Sequence, residues 1–212
     1  MGREFNKLFD QWSHSYDNTV SGNDPEYEAV FLHYDDILSK VAEKASGTVV
    51  EFGVGTGNLT EKLLKNGLNV YGMEPSEGMR KIAMKKLPEA KVLDGDFLDF
   101  PSIPVQIDTF VSTYAFHHLT EEEKGTAIQK YSLLLKEGGR IIFGDTVFAT
   151  EEAKSEVIKD SKRKKFNRLA EDLEREYYTT IPVLQDLFNQ NGFSVSFTKL
   201  NPFVWIIDAK KL

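Results

Sequence analysis

Between Val49 and Leu64 the chain reads VVEFGVGTGNLTEKLL: a β-branched run, three glycines in five residues, then an amphipathic run. A strand that passes through glycines straight into a helix restricts the fold more than any other segment. Glycine tolerates positive φ and carries no Cβ, so the main chain can bend sharply and lie against a ligand. The helix that follows begins with unpaired N–H groups and a partial positive charge. Spacing separates the rival ligand classes. A P-loop needs four residues between its glycines and a following Lys-Ser/Thr, which this stretch lacks. The dinucleotide fingerprint G-x-G-x-x-G accepts Gly53 and Gly55 but meets Asn58 at its third position. What stands here is Gly53-x-Gly55-x-Gly57, with Glu51 two residues before the first glycine. Taken alone, the glycines also allow a tight structural turn with no ligand.

The alternation continues along the chain. Strands are predicted over 48–53, 69–74, 91–94, 107–113 and 140–148. Helices are predicted over 57–66, from Ser76 to Leu87, and over 121–135. A turn is expected at Glu137-Gly138-Gly139. Strands separated by helices long enough for crossovers imply a parallel sheet covered on both faces. Upstream, Phe5, Leu8, Phe9 and Trp12 recur at helical spacing within 4–16. Asp24-Pro25 reads as an N-cap and first helical residue, opening a helix to Ala45. Downstream, 150–176 reads as a charged helical stretch and 180–190 as a helix. SVSFTKL and FVWIIDA then form two β runs whose short link at Asn201-Pro202 permits only antiparallel pairing. The expected architecture is α/β: a doubly wound, mostly parallel seven-stranded sheet with an antiparallel C-terminal hairpin and helical lid elements.

Composition narrows the function. A net charge of -7 over 212 residues opposes binding to a phosphate backbone. The stretch from Lys159 to Glu176 is basic and then acidic. Its single aromatic, Phe166, offers little for base stacking, and a solvated helix with i,i+4 pairs is the better reading. There is no cysteine, hence no disulfide framework and no thiolate metal site. No run reaches the length of a membrane span, the N-terminus has no apolar signal core, and Asn6 stands where a myristoylation signal wants Ser or Thr. A cytoplasmic location is expected.

Four landmarks occur in order. They are the Glu51–Gly57 turn, Glu74-Pro75 at the end of the second strand, Asp94-Gly95-Asp96-Phe97 after the third, and Ser112-Thr113-Tyr114-Ala115-Phe116-His117-His118-Leu119 after the fourth. Together they resemble the motifs of class I S-adenosylmethionine-dependent methyltransferases, and the likeness extends over nearly the whole chain. Within that class it is nearest to a group of uncharacterised bacterial methyltransferases labelled YrrT-like. The resemblance implies a Rossmann-like methyltransferase fold with S-adenosyl-L-methionine as cofactor. It implies cofactor contacts from Glu51, Gly53, Gly55, Gly57, Glu74, Pro75, Asp96, Phe97 and Ser112. Glu74 would take the ribose hydroxyls, an acid at a strand end being suited to two hydroxyl donors. Asp96 would accept from the adenine amino group, and Phe97 would lie against the ring or donate its main-chain N–H. Glu51 would either hold the turn or receive the ligand's ammonium.

Methyl transfer from a sulfonium is an in-line displacement, so alignment can carry most of the rate and no side chain is indispensable. His117 and His118 are the candidate general bases, with packing under the loop as the alternative. The adjacent histidines could also suggest a metal, but without a nearby acid cluster they are weak evidence, and no metal is expected. Trp12 and Tyr16 are read as lid residues, Tyr16 toward the cofactor and Trp12 toward the substrate, with core packing as the alternative. His14 and Asp17 would lie near the entrance. Tyr114, Tyr177 and Tyr178 are expected on the acceptor side. The chain divides into an N-terminal lid region (1–46), a cofactor-binding core (47–148), a helical insertion or cap (149–178) and a C-terminal helix with hairpin (179–212). The expected partner is a small-molecule methyl acceptor, with no membrane and no nucleic acid, in a monomer or homodimer. A protein or RNA acceptor and a non-catalytic S-adenosylmethionine-binding role are the alternatives, and Asn58 opposes a dehydrogenase.

Overall fold

The computed structural model describes Asp10 and residues 19–212, so Trp12, His14, Tyr16, Asp17 and the expected 4–16 helix lie outside the described residues. Seven strands form one sheet: β1 (Thr48–Phe52), β2 (Asn69–Met73), β3 (Lys91–Leu93), β4 (Ile107–Thr113), β5 (Leu135–Thr146), β6 (Phe193–Lys199) and β7 (Val204–Lys211). Their order is β3-β2-β1-β4-β5-β7-β6. The pairs from β3 across to β5 are parallel, and β7 is antiparallel to both β5 and β6. The expected mixed sheet with a C-terminal hairpin is present. Because β1 pairs with both β2 and β4, the strand order reverses there, and it is outside the carboxyl ends of strands at such a reversal that open α/β sheets take their ligands.

Side-chain alternation along the strands builds two cores. Val50, Phe52, Phe110, Ile141, Phe143 and Ile207 face one way, against α4 (Glu121–Leu134) and α7 (Ile181–Gln190). Val49, Val111, Ile142 and Ile206 face the other way, against α1 (Tyr34–Lys44) and α2 (Asn58–Lys65). Phe52 is the centre of the first core. Its ring stacks on Phe97, Phe110 and Tyr131 at centroid distances of 5.0, 5.7 and 5.2 Å. The Tyr131 hydroxyl reaches the Phe97 carbonyl at 2.8 Å, so this buried phenol is satisfied. α3 (Glu77–Lys86) starts from Ser76, whose hydroxyl accepts from the Met79 N–H.

Three boundaries differ from expectation, each for a local reason. The helix opened by Asp24-Pro25 was expected to run to Ala45, but turns fill 25–30 and α1 begins at Tyr34. The Asn201 amide donates to the Val30 and Leu32 carbonyls, both at 2.9 Å, acceptors that a continuous helix would need for itself. His33 then takes φ 63. The charged stretch 150–176 is two helices, α5 (Glu151–Arg163) and α6 (Asn167–Arg175), broken where Lys165 adopts φ 61. The break lets Phe166 join Leu169 and Leu173 in a third cluster with Val30, Phe148 and Phe203. Lastly, β5 begins at Leu135, before the expected Gly138-Gly139 turn. Pairing with β4 jumps from Ile107–Leu135 to Thr109–Arg140, so the glycines form a bulge within the strand.

Replacing Phe52 with Ala removes the ring that three other aromatic residues stack on. Such a truncation should lower stability by about 3–5 kcal/mol, read as a lower midpoint in urea unfolding with the slope unchanged.

Candidate active site

The glycine turn leaves β1 with Gly53, Gly55 and Gly57 all at positive φ. Their reasons differ. A Cβ on Gly53 would stand 2.8 Å from the Ala115 Cβ, and one on Gly57 would stand 3.1 Å from Leu87 Cδ1. Those two are demanded by the packing of neighbouring segments. A Cβ on Gly55 would meet nothing within 4 Å, so its backbone borders open space.

Two buried carboxyl groups hold this bend. Glu74 accepts from the Gly55 N–H at 2.8 Å with one oxygen and from the Ser76 N–H at 2.9 Å with the other. Burial raises its carboxyl to about 7, against these two backbone bonds. Pro75 spans the step between Glu74 and Ser76 without an N–H of its own. Glu51 lies beneath the turn, where its Oε2 accepts from the Thr60 hydroxyl at 2.7 Å. Burial, only partly offset by Thr60 and reinforced by the charge of Glu74, raises Glu51 to about 8. Asp10 reaches the same rim. Its Oδ1 accepts from the Ser76 hydroxyl at 2.5 Å and the Gly78 N–H at 3.1 Å, at the amino end of α3.

The remaining cofactor candidates are recruited in part by the fold itself. Asp96 is buried, and its Oδ1 accepts from the N–H groups of Leu98 and Asp99 at 2.9 and 2.8 Å. Of the two roles expected for Phe97, ring contact is spoken for, because its ring belongs to the Phe52 core. The Ser112 hydroxyl donates to the Phe52 carbonyl at 2.9 Å and ties β4 to β1. Tyr114 takes φ 54 at the end of β4, and its ring packs against Phe31 and Tyr34.

A second buried cluster lies past Tyr114. Phe116–His118 form one 3-10 turn. His117 Nδ1 faces Asp145 Oδ1 at 2.5 Å and its Nε2 faces Glu176 Oε2 at 3.3 Å. Burial alone would depress this imidazole, but Asp145 and Glu176 outweigh it and raise His117 to about 10. His118 moves the opposite way, to about 3, through burial and the charge of His117. Burial also works against both acids, yet His117 holds Asp145 below its usual range and Glu176 at about 2. The Tyr178 ring stacks on His117 at 4.7 Å and its hydroxyl donates to Glu176 at 2.7 Å. Tyr177 turns its ring toward solvent while its N–H donates to the His117 carbonyl at 3.1 Å. Buried Lys124 donates to the carbonyls of Leu119 and Tyr177, fastening the turn to the segment after α6.

Asp145, Glu176, Thr60 and Lys124 were not singled out from the sequence. Asp145 had a signal, an acid ending the apolar run IIFGD at a strand's carboxyl end. Glu176 was hidden in a charged helical stretch.

A reversed strand order, a glycine turn at the reversal and an acid closing β2 define a nucleoside-binding class of α/β fold. A methyltransferase-domain family matches residues 49–139. The chain is 57% identical over its full length to an uncharacterized methyltransferase of Bacillus cereus, of which it also covers 100%. The chain therefore belongs to the class I S-adenosylmethionine-dependent methyltransferases. A second relative, in Bacillus mycoides, is 56% identical over the same span. Among solved structures, magnesium protoporphyrin IX methyltransferase from Synechocystis PCC 6803 with bound SAH has a TM-score of 0.73 at 20% identity. That match covers 98% of this chain and 96% of the other. The DhpI-SAM-HEP complex has a TM-score of 0.71 at 16% identity, covering 99% and 98%. These two share the fold. Among the described residues no helix is long and apolar enough to cross a membrane.

The Glu51 shift has a consequence for stability. Its folded value near 8 lies above the unfolded value of 4.5, so the native state holds a proton that the unfolded chain releases first. The stabilising term is fully present below pH 4.5 and is lost as pH rises through 8. Glu51→Gln should therefore gain on the wild type by on the order of 3 kcal/mol between pH 5 and pH 8. Thermal melts of the ligand-free protein across that range measure the difference.

Proposed function

We propose that the protein transfers a methyl group from S-adenosyl-L-methionine to a small-molecule acceptor held past the end of β4. The observation that carries the reading is the open space bordered by the Gly55 backbone beside the Glu74 carboxylate. Each Glu74 oxygen already accepts one backbone N–H and keeps a lone pair, so two ribose hydroxyls can be added without breaking the clasp. The amino end of α2, after Gly57, suits the amino-acid carboxylate. Glu51 supports the turn from below through Thr60. Asp96 and the main chain of Phe97 serve the adenine edge, and Ser112 holds β4 in register beside it. Tyr16 would close over the cofactor and Trp12 over the acceptor.

Bound there, the sulfonium supplies a methyl carbon ready for in-line attack. The protein's part is to align the acceptor and keep water out, which can contribute on the order of 7–11 kcal/mol. Tyr114, Tyr177 and Tyr178 would form the acceptor side, with His117 and His118 behind them. Of the two histidines, His118 keeps the neutral form that a general base requires, whereas His117 is held as a cation between two carboxylates. A small acceptor is favoured by the chain's net charge of -7, which repels a nucleic-acid backbone. It is favoured also by similar folds named for small molecules, magnesium protoporphyrin IX and N-acetylserotonin methyltransferases among them. The lack of cysteine suits a cytoplasmic protein, acting as a monomer or homodimer.

Calorimetry should detect binding of S-adenosylmethionine and its demethylated product but not of NADH. Glu74→Gln keeps one acceptor for the clasp yet loses its charge, and should weaken both ligands roughly 10- to 100-fold with the far-ultraviolet spectrum unchanged. Tight NADH binding, or undiminished affinity in Glu74→Gln, would overturn the cofactor placement.

A further inference from the structure

The His117 cluster contains more than a histidine pair. His117, His118 and Glu176 each direct a donor atom into one small volume, with all three atoms within 4.8 Å of one another. Two of the donors come from the 3-10 turn after β4 and the third from the segment after α6, so the sequence separates what the fold assembles. We propose that His117 Nε2, a ring nitrogen of His118 and a carboxylate oxygen of Glu176 form a binding site for a divalent transition-metal ion, with zinc the simplest occupant.

Three observations support the assignment. The first is spacing. Two ligand atoms about 2.1 Å from one ion, at a tetrahedral angle, lie about 3.4 Å apart. His117 Nε2 and Glu176 Oε2 lie 3.3 Å apart. The second is orientation. Metal-bound imidazoles almost always give their other ring nitrogen to a carboxylate or carbonyl, which fixes the ring and its tautomer. Asp145 does this to His117 Nδ1 at 2.5 Å, and it is itself held by the N–H groups of His117 and Thr146 at 3.1 and 2.6 Å. The third is burial. The side chains of His117 and Glu176 are each only 9% exposed, with the Tyr178 ring stacked on His117 and its hydroxyl donating to Glu176. Asp145 and Glu176 carry two negative charges against the single positive charge of His117, and a divalent cation that displaces the His117 Nε2 proton would bring the cluster to neutrality.

Two nitrogens and one oxygen suit zinc or a similar first-row ion better than magnesium or calcium, which prefer oxygen throughout. Three protein ligands leave a tetrahedral ion one open place, available to water or to an oxygen or sulfur of a ligand. The site does not depend on which acceptor is methylated, but an ion held there takes both imidazoles as neutral ligands and so replaces the general-base role of His118; its test reads metal rather than turnover.

The test uses the full-length protein, stripped with a chelator and titrated with zinc sulfate by calorimetry and elemental analysis. One zinc per chain is expected to remain after desalting, with a higher melting temperature. His118→Ala and Glu176→Gln should each weaken zinc at least 100-fold, and Asp145→Asn about 10- to 100-fold, as for an outer carboxylate. His33→Ala, on the exposed start of α1, should bind zinc like the wild type. X-ray absorption at the zinc edge of the unmodified protein should show two imidazole ligands, a readout that does not rely on any variant folding. No stoichiometric zinc in the wild type would overturn the proposal. So would equal binding in His118→Ala and Glu176→Gln, or an absorption spectrum without imidazole.

Discussion

The Glu74 carboxylate holds the amide groups of Gly55 and Ser76 together, and the carboxyl edge of the sheet is organised around that contact. It connects the turn after β1 to the end of β2 and to the start of α3 with a single buried side chain. Packing fixes the turn from both flanks, through Ala115 at Gly53 and Leu87 at Gly57. Only the middle glycine is left facing space. A bend so supported does not need a ligand to keep its shape, which lowers the ordering cost of binding.

Charge is distributed unevenly about this edge. Under the glycine turn, burial raises both acids, Glu51 to about 8 and Glu74, steadied by two backbone N–H groups, to about 7. Past Tyr114, the same burial is overcome by direct contact, and His117, Asp145 and Glu176 remain ionised together. The difference lies in the partners. The acids under the turn meet hydroxyl and amide donors, whereas those at the second cluster meet an imidazolium at hydrogen-bonding distance. In a low-dielectric setting such a contact outweighs desolvation only when the geometry is tight.

The sheet and its order of elements were legible because strand-length apolar runs, glycine stops and crossover lengths agree with one another. Glu51, Gly53, Gly55, Gly57 and Glu74 were legible because they follow strands in a fixed sequence. The Ser112 and Phe97 side chains serve strand registry and packing, a choice made by neighbours distant in sequence. The start of α1 was misjudged because the competing donor, Asn201, lies on the far hairpin. Asp145 and Glu176 were missed for the same reason. Each looks like an ordinary acid until the fold sets it against His117.

Asn201 also says something about the order in which the molecule can be completed. Its side chain joins the turn between β6 and β7, by accepting from the Phe203 and Val204 amides, to carbonyls 171 and 169 positions earlier. Closing so long a loop is slow, and during synthesis it must wait until the turn between β6 and β7 has emerged. The segment leading into α1, although made earlier, lacks this anchor until then, so a chain stalled before Asn201 would carry its glycine turn without a finished approach to α1.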